Sequence, residues 1–442
     1  MNRRDFMKMS ALGAAGTMIP SVMQAASAAP KKKSANDKIN IAFIGLGQQA
    51  MNLLNGFIKL PDVRVVAGCD VYDVKRDRFV RRVNKFYTEK GEKRVKVDVY
   101  EDYQDVLARP DVDAVIIATP DHQHAVIAIA ACKAGKDIYL EKPLTLTIYE
   151  GQQLCKAVRK YSRILQVGSQ QRSSKEVIHA ATLVREGLLG KIEKIKVHAG
   201  RNEVNIDSAA PAPNNLPPME IPAGLNWDKW LGPLPTTVKY HSDLNPVIDE
   251  THNEQLWGAW RWYKVTGGGL MTDWGAHMFD VAQWAIGKDQ NGPVEIIPAS
   301  VSPYDQLTFK YDNGILMTEE PYEGNDRGVK FYGEKGWISV SRGKFKTNNK
   351  DLEMGKLEDT KVPFETMAGH YQIFIDSIRS RIDPNVPVEV GHSSCTVCNL
   401  ANIAIELNRP VVWNPIVQKF MNDSEATKML HYDYRNGYSL DI

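Results

Sequence analysis

The sequence predicts an α/β protein with a doubly wound parallel sheet in its N-terminal part, followed by an α+β domain with a large, mostly antiparallel sheet. Three observations predict this architecture. A buried strand pattern, Ile39–Ile44, leads into a glycine turn and a helix. Apolar strands then alternate with helical segments as far as Tyr161, which is typical of parallel βαβ units. Beyond Tyr161 the strand patterns follow one another more closely, as they do in an antiparallel sheet.

The individual elements support this division of the chain. In the N-terminal part, a helix and three further strands are predicted at His124–Ala134, Val63–Cys69, Val112–Thr119 and Asp137–Glu141. In the C-terminal part, strand patterns occur at Ile192–Ala199, Val294–Ser300, Asp305–Tyr311 and Ile315–Glu320. We therefore expect a signal peptide at residues 1–28, a linker at 29–37, a nucleotide-binding domain at 38–161 and a substrate-binding domain at 162–442.

The turn after the first strand has the spacing G-x-G-x-x-A. Gly45 permits a tight turn, Gly47 lets the backbone approach a pyrophosphate, and Ala50 allows helix and strand to pack closely. The helix N-terminus offers unpaired N–H groups to the phosphates. Glycine turns also serve packing alone. Here the spacing predicts a Rossmann dinucleotide site, to which Gln48 and Gln49 of the turn contribute.

An acidic residue follows the second strand at the position expected for ribose recognition. Asp70 lies about 20 residues beyond the fingerprint and can accept hydrogen bonds from the ribose hydroxyls of NAD. Its charge would repel a 2′-phosphate, so NAD is favoured over NADP. Arg76 and Arg78 offer an alternative route to NADP, but the local pattern places them on a solvated helix face. The sequence therefore predicts NAD as the cofactor.

Residues 1–28 have the pattern of an export signal. Arg3 and Arg4 precede a moderately apolar stretch and a small-residue cleavage region. The paired arginines resemble a twin-arginine signal, which carries folded proteins, and an ordinary secretory signal with two chance arginines is the alternative. Folded export suits a protein that acquires NAD in the cytoplasm and holds it tightly. We therefore expect a periplasmic location.

Charge and cysteine content argue against several function classes. Removing residues 1–28 takes away three cations and one carboxylate, which lowers the formal net charge from +2 to 0. A neutral chain gives no indication of a nucleic-acid or anionic-membrane partner. Of the five cysteines, Cys395 and Cys398 form an isolated C-x-x-C within a helical pattern, Ser393–Leu407. With no second cysteine pair and no histidine at zinc spacing, the sequence predicts no metal site.

Four motifs occur in order along the chain. They are the glycine fingerprint, the Thr119-Pro120 turn followed by His124, the strand-ending Glu141-Lys142-Pro143, and GGGLMTDWGAHMFD at residues 267–280. Together they resemble the Gfo/Idh/MocA oxidoreductases. The resemblance implies a cis peptide bond before Pro143 and a homo-oligomer, dimeric or tetrameric, formed through the second sheet. It also implies a cofactor pocket completed by Thr119, Pro120, His124, Glu141 and Lys142.

Three polar side chains in these motifs are the candidate catalytic residues. Family resemblance places Lys142 beside the nicotinamide, where its ammonium would stabilise charge on a substrate oxygen. Asp273 and His277 stand four residues apart, so in a helix they share a face. His277 is the predicted general base, because imidazole titrates near neutral pH, and Asp273 is its orienting or substrate-binding partner. The alternatives are a surface lysine at Lys142 and a satisfied core histidine at His277.

Residues around the catalytic segment indicate the substrate class. Aromatic faces pack against the C–H surfaces of sugars, and an aromatic cluster occurs here: Trp257, Trp260, Trp262, Tyr263 and Trp274. At least two of these tryptophans are expected to serve core packing, and Trp262 is the candidate substrate contact. Gln170 and Arg172 follow the strand pattern Ile164–Gly168 and are either substrate contacts or polar loop residues. His122 is expected to face solvent.

These features predict an NAD-dependent dehydrogenase that oxidises a ring hydroxyl of a sugar or glycoside, with C3 as one option. Relatives in the family act on sugars, inositols and glycosides, and an exported location favours sugars or glycosides. One alternative is an NAD-dependent, redox-neutral glycoside hydrolase, which oxidises, eliminates, adds water and reduces again. The other is a noncatalytic sensor that binds NAD and a sugar. The combination of Lys142, Asp273 and His277 favours the dehydrogenase over both.

Overall fold

The computed structural model describes residues 38–92, 96–200, 213–248, 256–321, 327–355, 369–435 and 437–442. The predicted signal peptide at 1–28 and linker at 29–37 lie outside these ranges. Within the ranges, no helix is long and apolar enough to cross a membrane. The same residues contain no group of three or more His, Cys, Asp or Glu side chains placed to hold a metal ion. All five cysteines are free thiols, and four of them are buried.

The N-terminal part forms a parallel sheet of six strands in the order β3-β2-β1-β4-β5-β6. Its strands are β1 (Ile39–Ile44), β2 (Val63–Cys69), β3 (Asp98–Tyr100), β4 (Ala114–Ile117), β5 (Asp137–Leu140) and β6 (Leu165–Val167). β1 pairs in parallel with both β2 and β4. The strand order therefore reverses beside β1, and doubly wound proteins bind ligands at the carboxyl ends of strands at such a point. The predicted parallel sheet is confirmed.

The last strand of this sheet lies beyond the domain boundary expected at residue 161. β6 pairs in parallel with β5, with Ile138 opposite Leu165 and Leu140 opposite Val167. The sequence pattern locates this strand but not its partner. Because a strand belongs to the sheet with which it hydrogen-bonds, the first domain extends at least to Val167.

Helices and buried side chains lie on both faces of the parallel sheet. Along β1 the direction alternates: Ile41 and Phe43 pack in one core cluster, and Ala42 and Ile44 pack in another. The helices are α1 (Gln48–Phe57), α2 (Asp73–Glu89), α3 (Tyr103–Leu107), α4 (Asp121–Lys133) and α5 (Ile148–Lys160). α4 begins earlier than predicted because Pro120 is extended and provides its N-cap.

The C-terminal part forms a nine-stranded sheet in the order β13-β12-β11-β7-β10-β9-β8-β14-β15. Its strands are β7 (Ile192–His198), β8 (Glu295–Ile297), β9 (Leu307–Lys310), β10 (Leu316–Glu319), β11 (Gly328–Gly333), β12 (Gly336–Ser341), β13 (Lys344–Thr347), β14 (Val411–Asn414) and β15 (Lys419–Phe420). β10 pairs with β7 in parallel, and the other described pairings are antiparallel. The predicted, mostly antiparallel sheet is confirmed.

The remaining helices lie in the C-terminal part of the chain. They are α6 (Lys175–Arg185), α7 (Trp227–Leu231), α8 (Gly269–Asp273), α9 (Gly275–Ala285), α10 (His370–Ser380), α11 (Val388–Leu407) and α12 (Ser424–Lys428). α11 serves both cores: Val390 and Cys395 pack with the first sheet, while Cys398 and Leu400 pack with the second. Phe374 of α10 packs on the other face of the first sheet. C-terminal helices thus complete the core of the N-terminal domain.

Candidate active site

The glycine turn after β1 packs directly on the end of β4. Gly45 has φ +81°, and a Cβ atom there would lie 2.7 Å from the backbone nitrogen of Thr119. Glycine therefore fits this turn without displacing the backbone. At Gly47 the surroundings are open, because a Cβ atom would meet nothing within 4 Å. That space lies at the N-terminus of α1, where backbone N–H groups can bind a phosphate.

Gly45→Ala is expected to destabilise the fold and to weaken cofactor binding. The added methyl group would collide with backbone atoms at the end of β4. The left-handed backbone conformation costs an L-residue about 1–2 kcal/mol more. Gly314→Ala is the matched control, since Gly314 has φ +84° with open space around its Cβ position. Thermal unfolding with and without NAD compares the two variants. Equal midpoints would contradict the packing argument.

A cavity of about 430 Å³ opens beside this turn. Its lining includes the glycine turn, the ends of two strands and part of the C-terminal half: Gly45, Gly47, Gln48, Gln49, Asp70, Thr119, Pro120, Trp257, Trp260 and Arg261. Two buried polar atoms on this lining, Gln48 Oε1 and Thr119 Oγ1, have no hydrogen-bond partner among the described residues. A polar ligand would supply those partners. The lining fits a dinucleotide, with phosphates at Gly47 and a ribose at Asp70.

The Asp70 carboxylate is held at the end of β2 and retains capacity for a ligand. Its Oδ2 accepts a hydrogen bond from the Leu46 N–H at 2.7 Å, and its Oδ1 accepts one from the Tyr72 N–H at 3.0 Å. Each oxygen keeps a second lone pair, so the carboxylate can also accept bonds from ribose hydroxyls. Asp70 therefore braces the glycine turn and lines the cavity at the same time.

The two downstream arginines do not form the solvated helix face expected from the sequence. Arg78 is 1% exposed and donates to the Leu46 carbonyl at 2.5 Å. Arg76 donates to the Asp70 carbonyl at 2.6 Å. Arg78 therefore supports the backbone of the glycine turn and Arg76 supports the backbone at the end of β2, roles that helix periodicity does not reveal. Lys75, which no sequence motif marks, lines the cavity instead.

His124 lies behind the cavity wall. It is 1% exposed, with Nδ1 2.9 Å from the Pro143 carbonyl and Nε2 3.0 Å from the Thr119 carbonyl. Burial lowers its pKa to about 4, so the neutral ring donates its single proton to one of the two carbonyls. His124 thus joins the end of β4 to the turn after β5. The Lys142–Pro143 peptide bond in that turn is cis, as the family resemblance implies.

His122 requires a correction, because the sequence analysis expects it to face solvent. The side chain is fully buried, and its Nε2 lies 2.9 Å from the Trp230 carbonyl. Burial lowers its pKa to about 4. The first turn of α4 packs against α7 of the C-terminal half, a contact between distant parts of the chain that local sequence does not show.

Glu141 connects the glycine turn after β1 to the segment that follows β6. Its Oε1 accepts hydrogen bonds from Gln49 at 2.9 Å and Gln170 at 2.7 Å, and its Oε2 accepts one from the Lys142 backbone N–H at 3.2 Å. A Cβ atom at Gly168 would lie 2.7 Å from Oε1, so the glycine makes room for the carboxyl group. Burial raises the pKa of Glu141. Gln170, a candidate substrate contact, is therefore engaged by Glu141.

Lys142 and Asp273 are in direct contact. Lys142 Nζ donates to Asp273 Oδ1 at 2.8 Å and to the Asp273 carbonyl at 2.9 Å, and Arg261 Nε stands 3.5 Å from the same Oδ1. Although burial alone raises it, the two cations hold the pKa of Asp273 below its usual range. Arg261, which the sequence does not single out, also lines the cofactor cavity. It connects that cavity to the ion pair, since neither Lys142 nor Asp273 belongs to the lining.

His277 follows Asp273 in the chain. The helix predicted to carry both residues is instead two short helices, because α8 ends at Asp273 and α9 begins at Gly275. The imidazole is 5% exposed, and its Nδ1 has no hydrogen-bond partner within the described ranges. Burial, reinforced by the charges of Lys142 and Arg342, keeps its pKa well below the usual range. The imidazole is therefore neutral at neutral pH. The Asp273 side chain pairs with Lys142 and does not orient the His277 ring.

Arg172, a candidate substrate contact, is engaged elsewhere. It is 4% exposed, and two of its nitrogens donate to the Asp280 carboxylate at 2.8 Å each. A third donates to Asp289 at 3.1 Å, and the guanidinium stacks 5.1 Å from the Trp284 ring centroid. Arg172 does not line the cofactor cavity. Its role is to join the turn after β6 to α9 and to the loop that follows α9.

Arg172→Met is expected to lower the free energy of unfolding by about 3–5 kcal/mol, because it leaves the Asp280 carboxylate buried without its charge partner. Arg159→Met is the matched control. Arg159 pairs with Glu389 at the surface, where an exposed ion pair contributes about 1 kcal/mol or less. Urea denaturation monitored by circular dichroism measures both. Similar losses in the two variants would show that burial of the Asp280 pair has no special cost.

The tryptophans near the catalytic segment divide into two groups. Trp257 and Trp260 line the cavity, and the Arg261 guanidinium lies 4.9 Å and 4.2 Å from their ring centroids. Trp262 and Trp274 pack against the core of the C-terminal half. The expectation that at least two tryptophans serve core packing is confirmed. Trp262 is among them and does not line the cofactor cavity, so its predicted substrate contact stays a prediction.

Two family models together cover most of the chain. Residues 39–169 match an oxidoreductase family described by its NAD-binding Rossmann fold, and residues 173–440 match the C-terminal alpha/beta domain of that oxidoreductase family. The chain belongs to the Gfo/Idh/MocA oxidoreductases. Membership agrees with the resemblance drawn from the motifs. For this Gfo/Idh/MocA protein, the shared fold places an NAD-binding domain before the mixed sheet.

Solved structures of similar fold include sugar-acting enzymes. The WlbA dehydrogenase from Chromobacterium violaceum, in complex with NADH and UDP-GlcNAcA, has a TM-score of 0.59 and 18% identity, covering 86% of this chain and 97% of that chain. The aldose-aldose oxidoreductase from Caulobacter crescentus has a TM-score of 0.56 and 19% identity, covering 85% and 99%. At these identities the likeness establishes the fold.

Curated relatives of this Gfo/Idh/MocA chain include proteins named as glycosidases. A glycosyl hydrolase family 109 protein from Shewanella pealeana is 30% identical over 206 residues. The alpha-N-acetylgalactosaminidase from Shewanella oneidensis is 29% identical over 209 residues. Each match covers 43% of this chain and 44% of the relative, so less than half the length of these relatives is spanned.

Proposed function

We propose that this protein is an NAD-dependent dehydrogenase that oxidises a ring hydroxyl of a sugar or glycoside, with C3 as the proposed carbon. The observation that carries the proposal is the combination of a buried neutral imidazole, His277, with the Lys142–Asp273 ion pair at 2.8 Å. Alcohol oxidation needs a proton acceptor and a fixed positive charge near the oxygen. The ion pair adjoins the cofactor cavity through Arg261, which lines that cavity and stands 3.5 Å from the Asp273 carboxylate.

In this proposal each residue has a distinct task. His277 accepts the hydroxyl proton as the carbon loses hydride, for which NAD, when bound, supplies the acceptor. Lys142 stabilises the negative charge that develops on the substrate oxygen. Asp273 holds the Lys142 ammonium in place through both its carboxylate and its carbonyl. Arg261 supports the same carboxylate from the cavity side.

A redox-neutral glycoside hydrolase is the second candidate. The similarity to relatives named glycosyl hydrolase family 109 protein and alpha-N-acetylgalactosaminidase favours it. Such an enzyme would oxidise C3, remove the C2 proton as the aglycone leaves C1, add water to C1 and C2, and reduce C3 again. The first step is the same in both candidates. His277 and Lys142 therefore keep the roles given above, and the products alone separate the two reactions.

We also propose that the protein is exported to the periplasm with NAD already bound, and that it assembles as a homo-oligomer. The twin-arginine pattern in residues 1–28 supports export.

The Asp70 carboxylate on the cavity lining supports NAD over NADP, because it would repel a 2′-phosphate. Tyr438 also lines that cavity. The NAD content of the protein after gel filtration tests whether the cofactor is retained. The molecular mass measured by light scattering tests whether the protein is a homo-oligomer.

The experiment that tests the function uses the NAD-loaded protein in D₂O with free sugars and their methyl and nitrophenyl glycosides. Products are identified by mass spectrometry and NMR. A keto-sugar formed in step with NADH supports the dehydrogenase. Free sugar that carries deuterium at C2, with no net NADH, supports the hydrolase and displaces the first proposal. Absence of any product, together with saturable sugar binding, overturns both and leaves the sensor.

A further inference from the structure

Two arginines share one tryptophan ring beside His277. Arg327 immediately precedes β11, and Arg342 lies in the turn between β12 and β13. Their guanidinium carbons lie 4.0 Å and 4.5 Å from the ring centroid of Trp274. The centroid of the same ring is 5.8 Å from that of the His277 imidazole. We call Arg327 and Arg342 the arginine pair.

Among the described residues, the arginine pair forms no ion pair of the kind that other arginines of this protein form. Arg172 is paired with Asp280, and Arg261 faces Asp273. Within the described part of the chain, neither Arg327 nor Arg342 forms an ion pair or a hydrogen bond with a carboxylate, and both stack on Trp274. Burial lowers the pKa of Arg327, the nearby Asp273 carboxylate raises it, and the charge of Arg342 lowers it again. Two adjacent cations repel each other, and an anionic ligand group would remove that repulsion.

The surroundings of the arginine pair add further positive charge. Lys142 and Arg261 both approach Asp273, at 2.8 Å and 3.5 Å, so two cations share one carboxylate. Two other nearby carboxyl groups, Asp121 and Glu141, are buried and have raised pKa values, and Glu141 accepts hydrogen bonds from two glutamine amides. Among the described residues, four cations therefore interact with the Asp273 carboxylate: Lys142 and Arg261 at close range, and Arg327 and Arg342 through their charge. A neutral sugar would leave most of this charge uncompensated.

We propose that the substrate is an anionic sugar, whose carboxylate, sulfate or phosphate group binds the arginine pair while a ring hydroxyl faces His277. This inference rests on the proposed function and names its substrate class. Guanidinium forks bind carboxylates and phosphates in a bidentate manner. Stacking on Trp274 holds both guanidiniums in place before the ligand arrives, which lowers the entropic cost of binding. Trp274 therefore positions cations and does not itself form a sugar platform.

The test measures binding to NAD-loaded protein by intrinsic tryptophan fluorescence. The ligands are matched pairs, methyl β-glucuronide with methyl β-glucoside and the corresponding galacturonide with galactoside, together with glucose 6-sulfate and glucose 6-phosphate. The acidic member of each pair is expected to bind at least about tenfold more tightly at low salt. This advantage should shrink at about 0.2 M salt, where exposed charges are screened. The anion with the lowest Kd identifies the group.

Two variants locate the effect. Arg342→Gln, in an exposed turn, is expected to raise the Kd of the acidic sugar about tenfold and to reduce the ratio of acidic to neutral affinity. Arg327→Gln is the second variant and should act in the same direction. Lys335→Gln is the matched control, because Lys335 is an exposed cation at the opposite end of β12. The control should leave the ratio unchanged.

The outcomes separate this inference from the proposed function. Equal Kd values within each acidic and neutral pair overturn the inference, and the dehydrogenase proposal stands when NADH forms from both. Preferential binding of acidic sugars without oxidation or cleavage supports the inference and overturns the proposed function. A preference that persists in both Arg342→Gln and Arg327→Gln places the anion site elsewhere and overturns the inference.

Discussion

Replacing Lys142 with methionine is expected to lower kcat by about 10²- to 10³-fold while bound NAD is retained. Methionine approximates the length of the side chain but removes the ammonium group that contacts Asp273 at 2.8 Å. The loss should appear in kcat rather than KM, because charge on the substrate oxygen develops only in the transition state. Initial rates of NADH formation measure it, and the absorbance of the purified protein reports the cofactor.

The matched control for this variant is Lys85→Met. Lys85 lies on α2, and its side chain is 77% exposed. Its replacement is expected to change neither kcat nor cofactor content. A kcat for Lys142→Met equal to that of the control would remove Lys142 from the mechanism. Loss of bound NAD in Lys142→Met would instead assign the residue to cofactor binding.

His277→Gln is expected to lower kcat by about 10²- to 10⁴-fold, the range found when a general base is removed. Glutamine occupies a similar volume in the buried site and can form hydrogen bonds, but it cannot take up the hydroxyl proton. The thermal midpoint should therefore change little compared with the rate. Single-turnover reduction of bound NAD measures the chemical step directly. A rate equal to the wild type would show that another group accepts the proton.

The wild-type pH profile provides a second test of His277. Burial and the charges of Lys142 and Arg342 lower the pKa of His277. The imidazole therefore stays neutral as the pH falls through the ordinary histidine pKa of about 6.5. The acidic limb of kcat is expected below that pH. Folding stability should also decline below it, since the unfolded chain then binds a proton that the native state excludes. An acidic limb at or above the ordinary histidine value would contradict the assignment.

The sequence predicts the parts of this protein that follow from local pattern. The parallel sheet and the glycine turn are both confirmed. They are predictable because strand burial and backbone freedom at Gly45 are properties of short segments. The mostly antiparallel second sheet is confirmed for the same reason. The pairing of β6 with the first sheet, which moves the boundary past residue 161, depends on a long-range hydrogen-bond partner.

Side-chain partners at the candidate site are less visible in the sequence. Arg78 and Arg172 follow polar patterns typical of exposed residues, yet both are buried because distant backbone or carboxylate groups satisfy their guanidiniums. Trp274 suggests a sugar contact by its residue type, but distant arginines stack on it. Such contacts between residues far apart in the chain have no local signal.

Helix α11 has a consequence for how this family can recombine. Its first half packs with the parallel sheet through Val390 and Cys395, and its second half packs with the mixed sheet through Cys398 and Leu400. A chimaera joined between the two family matches, near residue 170, would place one parent's helix against the other parent's strands. The nucleotide-binding unit that can be exchanged intact is therefore discontinuous in the chain. Exchange of nucleotide-binding domains among relatives requires that α10 and α11 be transferred together with the first sheet.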